Sequence, residues 1–182
     1  MIKIFFILII VLLIAAVLIF NKLISLRNRV KEAWSGVLVQ LKLRYDLVNN
    51  LVQTVKAYAR HEQQTLTAVV SARNIAQTAV SPQAKGGAEP KLSGAIKSIF
   101  MLSEQYPPLK ADKNFLELQN QLVKIEQNIQ MARRYYNGSV RDLNNTVSRF
   151  PTNIVAKLFN FNEETFFELE NQNERLAPKT NF

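Results

Sequence analysis

No cysteine occurs among the 182 residues. That absence excludes disulfides, thiolate catalysis, zinc–sulfur centres and attachment through a lipid-modified cysteine. It leaves the compartment open. Glycine and proline are nearly as scarce, at 5 and 6. So few turn residues argue against many short strands and for few, long helices. There is one histidine, His61. A helical metalloprotease site needs two imidazoles one turn apart, and here the run is His61-Glu62-Gln63-Gln64-Thr65. A dinuclear carboxylate site in a bundle needs Glu-x-x-His pairs, and the chain has none. No serine stands in a Gly-x-Ser-x-Gly turn, and Lys85-Gly86-Gly87 lacks phosphate-loop spacing. Glu163-Glu164 reads as an exposed acidic pair near the end rather than an acid–base couple. The expectation is a protein that is not an enzyme, with no cofactor, no metal and no small-molecule substrate.

What the sequence does have is an unbroken run of 17 apolar residues, Ile4 to Phe20. At about 1.5 Å per residue the run is about 25 Å long, close to a hydrocarbon core of about 30 Å. Lys3 and Lys22 flank it and can snorkel to the two interfaces. A cleaved secretory signal has a shorter core and a small-residue cleavage site. Neither fits here, so residues 1–21 read as a retained, single-pass anchor.

Charge is unevenly spread along the chain. Between Lys22 and Arg60 eight Lys/Arg face two acids, whereas Asn160 to Phe182 holds five Glu against Arg175 and Lys179. A basic collar beside an apolar span suits anionic lipid headgroups, each cation contributing about 1 kcal/mol near the surface. Lys3, Lys22, Arg27, Arg29 and Lys31 are the expected flank of the anchor. That position favours lipid over nucleic acid as the partner of the basic region. The excess of Lys and Arg after the span leans the body towards the cytoplasm, with the periplasmic or extracellular side left open.

The body, residues 22–170, is expected to be all α: an antiparallel up-and-down bundle with two long helices behind the transmembrane one. From Asn21 to Val80 there is no proline, and the apolar positions Trp34, Leu38, Leu41, Tyr45, Val48, Val52, Val55 and Ala59 alternate in steps of four and three, continuing to Leu66 and Val69. This predicts one long helix. Ser81 to Pro90 then reads as the clearest loop. A shorter helix with Leu92, Ile96, Ile99 and Leu102 inward stops before Pro107-Pro108. Asn114 and Glu117 have capping-box spacing and open the second long helix, whose stripe runs from Phe115 to Phe150 and ends at Pro151. Thr152 to Leu169 predicts one or two short helices, and residues 171–182 a loose polar tail.

Polar residues lie on or beside these stripes. Arg44, Asp46, Asn50, Arg134, Asn137 and Arg141 read either as solvated helix faces or as a buried polar layer that fixes helix register. Phe159, Phe161, Phe166 and Phe167 form a candidate patch for a protein partner.

A family resemblance rests on ordered motifs. These are Leu26-Arg27-Asn28-Arg29-Val30-Lys31-Glu32-Ala33-Trp34, the run Leu43-Arg44-Tyr45-Asp46-Leu47-Val48, Ala72-Arg73-Asn74, Tyr106-Pro107, Arg134-Tyr135-Tyr136-Asn137 and Phe150-Pro151-Thr152-Asn153. In that order, over about residues 21 to 168, the chain resembles the LemA family. It departs from the family's usual pattern at Asn49, Leu143 and Asn160. The resemblance implies a bacterial, mostly helical protein, usually anchored by one N-terminal segment, and brings no catalytic residues with it. The functional expectation is a scaffold or structural component of the bacterial inner membrane that associates with itself as a homo-oligomer. The alternative is an adaptor or regulator that binds another membrane protein through its helix faces, and a remote alternative is a metal-binding protein or enzyme.

Overall fold

The computed structural model describes residues 2–168. Among them all regular structure is helical, with no strand: α1 (Ile2–Tyr58), α2 (Gln63–Thr78), α3 (Pro82–Ser103), α4 (Pro107–Lys110), α5 (Lys113–Ser148) and α6 (Thr152–Leu158). The all-α class and the single apolar N-terminal helix agree with the sequence. The tail expected at residues 171–182 lies outside the described residues.

The described residues form two compact units: 2–37 with 132–166, and 38–131 with 167–168. In the first unit, α1 begins with the apolar run, whose side chains are almost all exposed and which is long and apolar enough to cross a membrane. Beyond Phe20 the helix turns into a core element. Leu23, Leu26, Val30, Ala33 and Val37 are buried at steps of three and four, one face of a helix. The expected stripe differs here, since Trp34 is half-buried and Leu38 exposed. Trp34 instead lies at the edge of the face, its ring 5.2 Å from that of Tyr136 on α5. Phe150, expected to close the α5 stripe, is 74% exposed because the helix ends at Ser148.

After α6 the chain turns at Asn160, whose φ of 54° is left-handed. Asparagine tolerates that region better than most side chains do. The segment that follows is tied to α5. Tyr136 Oη donates to the Thr165 carbonyl at 2.8 Å, and Asn144 both donates to the Glu164 carbonyl and accepts from its N–H. Burial first, and then the charge of Glu164, push the Tyr136 phenol from 10.0 up to about 12. Between about pH 10 and 12 the unfolded chain therefore loses a proton that the folded chain keeps, and stability falls as pH rises. Alkaline denaturation of Tyr136→Phe should show a shallower loss across that window than the natural chain.

In the second unit, α1 and α2 run antiparallel, because Tyr45 meets Ala76 while α1 ends only at Tyr58. α1 and α5 also run in opposite directions, since Arg44 meets Glu126 within α5 and Tyr58 meets Asp112, the residue just before it. One long helix to Val80 was expected, but the chain reverses at Ala59–Glu62 without glycine or proline. The reversal lets Leu66, Val69 and Ala76 bury. A straight continuation would leave that apolar stripe in water.

Ser81–Pro90 is likewise helix, not loop. Ser81 caps it, Oγ accepting from the Ala84 N–H at 3.1 Å, and Pro82 stands in the first turn where its missing N–H does no harm. The inward set Leu92, Ile96, Ile99 and Leu102 is buried as expected. At the start of α5 the cap is Asp112, which accepts from the Phe115 N–H at 2.9 Å; Asn114, the expected cap, is already inside the helix. That bond and the Tyr58 hydroxyl hold the Asp112 carboxyl below its ordinary range. Asp112→Ala should therefore lower the thermal midpoint, whereas Asn114→Ala should leave it nearly unchanged.

Candidate functional site: a buried charge network

Charged side chains seldom bury without partners. In the second unit Arg44, Lys85 and Glu89 are each under 5% exposed. Arg44 on α1 donates Nη1 to Glu89 Oε2 at 3.0 Å and lies 3.2 Å from Glu126 on α5; its Nη2 donates to Ser93 Oγ at 2.7 Å. Tyr45, one residue on, donates its hydroxyl to Glu89 Oε1, and that hydroxyl also lies 3.1 Å from the Ala76 carbonyl. Lys85 Nζ donates to the same Ala76 carbonyl at 2.9 Å and to the Tyr45 hydroxyl at 3.3 Å. Arg73 on α2 donates Nε to the Tyr45 carbonyl at 2.9 Å. Glu89 thus takes bonds from two residues of α1 at once, and every member of the network has a partner.

The electrostatics follow from burial. Desolvation holds the Tyr45 phenol far above its ordinary range, with Glu89 adding to the shift, so Tyr45 is a donor at any physiological pH. Desolvation pulls Lys85 down, and the nearby Glu89 charge opposes it. The lysine is not poised as a nucleophile: it is 3% exposed and its ammonium is committed to a carbonyl and a phenol. What the arrangement does is fasten α1, α2, α3 and α5 in one register, since a one-residue slip of any helix would strand a buried charge.

Beside the network is an open groove of about 460 Å³, with Ile96, Phe100, Leu122 and Val123 as its apolar walls and Arg44, Ser93 and Glu126 among its lining. Among the described residues no group of His, Cys, Asp or Glu is placed to hold a metal ion.

Of the residues singled out from sequence as a buried polar layer, only Arg44 is buried. Asp46 and Asn50 are exposed and line a shallow surface groove of about 300 Å³ with Leu43 and Ile125. Arg134 and Arg141 are exposed, and Asn137 is half-buried. These positions face outwards because the core face of each helix is filled by apolar residues, Tyr136, Val140 and Leu143 on α5. Lys85, Glu89 and Ser93 were missed because their segment reads as a loop. Ser81-Pro82, taken as cap and first-turn proline, is the signal that could have found them.

The phenylalanine patch also divides. Phe161 and Phe167 are buried, while Phe159 is 50% and Phe166 is 36% exposed. In the collar, Lys3, Lys22, Arg29 and Lys31 are exposed, but Arg27 is half-buried with its guanidinium 5.0 Å above the Phe161 ring. Arg27 serves as packing for that ring as well as charge. His61 is exposed in the turn between α1 and α2.

Comparison with known proteins points to one family. The family model described as LemA family matches residues 33–182. The chain is also similar to Protein LemA of Metamycoplasma hominis, 27% identical over 152 residues that span 81% of this chain and 68% of that protein.

Proposed function

The chain belongs to the LemA family, and from that premise we propose that it is a single-pass, membrane-anchored scaffold that works by self-association and catalyses no reaction. The observation that carries the proposal is α1 itself, one helix from Ile2 to Tyr58 whose first third is apolar and exposed and whose remainder supplies buried core residues. A helix built this way tethers a bundle to a bilayer without an intervening linker. The basic collar supports contact with anionic headgroups. Its Lys/Arg excess supports a cytoplasmic body at the bacterial inner membrane.

Self-association is supported by apolar side chains that the bundle leaves uncovered. In the second unit Val39, Leu43, Val123 and Met131 are each between 47% and 55% exposed. The absence of an enzymatic role is supported by the network around Arg44, whose groups are all spent on one another.

The cysteine-free sequence makes the test direct. Val39→Cys or Val123→Cys should give homo-oligomeric crosslinks in bacterial membranes, and His61→Cys, in a turn, should not. Monomer at all three positions would reject self-association, and crosslinks to a different protein would favour an adaptor.

A further inference from the structure

We propose that α6 is a second membrane-contacting element, a short amphipathic foot that rests on the bilayer beside the anchor. The inference rests on the reading of Ile4–Phe20 as a membrane span and adds a surface that the sequence did not reveal. All the residues involved lie in the first compact unit.

Phe20 is the last residue of the apolar run. Its ring lies 4.7 Å from that of Phe159, immediately after α6, and 5.8 Å from that of Phe161. A 17-residue span of about 25 Å falls short of a hydrocarbon core of about 30 Å, so Phe20 sits at its boundary. Whatever touches Phe20 sits at the same depth.

The outward face of α6 suits that depth. Ile154 and Leu158, one turn apart, are 59% and 73% exposed, with Phe150 at 74% and Phe159 at 50% on the flanking residues. The inward face is Val155 and Ala156, both buried. Seven residues of helix thus carry apolar side chains on two faces, and only one face has protein against it. An aqueous surface would leave Ile154 and Leu158 in water for no gain, whereas the interface of a bilayer takes such side chains readily.

Charge points to lipid as the occupant. Between Leu143 and Asn162 the only charged residues are Arg149 and Lys157, both exposed, and acids resume only at Glu163. Lys22, next to Phe20 in the chain, is exposed as well. Apolar side chains ringed by cations, at the end of an apolar span, match an anionic headgroup layer above hydrocarbon.

Single cysteines at Ile154→Cys, Leu158→Cys, Val11→Cys and Arg141→Cys, each carrying an environment-sensitive fluorophore, test this in full-length protein. The chain is reconstituted in vesicles of mixed zwitterionic and anionic phospholipid containing spin-labelled quencher lipids. Labels at 154 and 158 should lose fluorescence to shallow quenchers, the label at 11 to deep ones, and the label at 141 to neither. If 154 and 158 behave like 141 while 11 is quenched, the foot is overturned and the anchor stands. If 11 is not quenched, the anchor reading fails and the foot with it.

Discussion

Glu89→Ala should be among the most damaging single changes in this protein, lowering stability by about 3–5 kcal/mol, the usual cost of breaking a buried ion pair from one side. The carboxylate is 4% exposed and accepts from both Arg44 and Tyr45. Removing it leaves the Tyr45 hydroxyl with only the Ala76 carbonyl to donate to. Arg44 then keeps the Ser93 hydroxyl and, as its one remaining carboxylate in the network, Glu126, whose side chain is 39% exposed and so a weaker, more screened partner. It also removes the one charge that counters the desolvation of Lys85. Replacing both members, Arg44→Leu with Glu89→Leu, should recover much of the loss, because an apolar pair leaves fewer buried charges unmatched. Thermal and denaturant unfolding of the detergent-solubilised chain, followed by circular dichroism, measures both. Equal stability of Glu89→Ala and the natural chain would mean that the network is not buried as described.

A second large effect is expected at Gly86, and its control lies on the same helix. A Cβ at Gly86 would collide with the backbone carbonyl of Glu168, which crosses α3 there. Backbone cannot swing aside as a side-chain tip can, so Gly86→Ala should expel the segment that ends in Phe167 and Glu168. Phe167 is 1% exposed, so its release opens a core site, with a loss of about 3 kcal/mol or more. Gly94 has open space where its Cβ would stand. Gly94→Ala should therefore gain about 0.5–1 kcal/mol, the ordinary helical preference of alanine over glycine. The same substitution on one helix thus carries opposite signs. Hydrogen exchange at Phe167 and Glu168 should rise in the first variant only.

The helices announced themselves where an apolar period of three and four ran unbroken, as in Leu92, Ile96 and Ile99, or in Leu122, Ile125 and Ile129. Period alone did not locate the reversal after Tyr58. The residues Ala59-Arg60-His61-Glu62 contain no breaker, and only the burial gained by folding α2 back decides the turn. Ser81–Pro90 misled in the opposite way. Its two prolines and its glycines normally mark loops, but Pro82 sits in a first turn, Pro90 is accommodated inside α3, and Gly86 is required by Glu168, 82 positions later. No local pattern carries a contact at that range. The charge network was half legible for the same reason. Arg44 stands beside a visible stripe, whereas Lys85 and Glu89 become buried only once their segment is helix. Asp46, Asn50, Arg134 and Arg141 were indistinguishable from Arg44 by sequence position, because one step of about 100° around a helix separates core from solvent.

The measurement that bears most directly on the central proposal is the mass and shape of the full-length protein in mild detergent, by light scattering and electron imaging. A membrane scaffold built by self-association should give large, symmetric particles of defined subunit number. One chain per micelle at every concentration, with no homotypic crosslinks in the membrane, would contradict it.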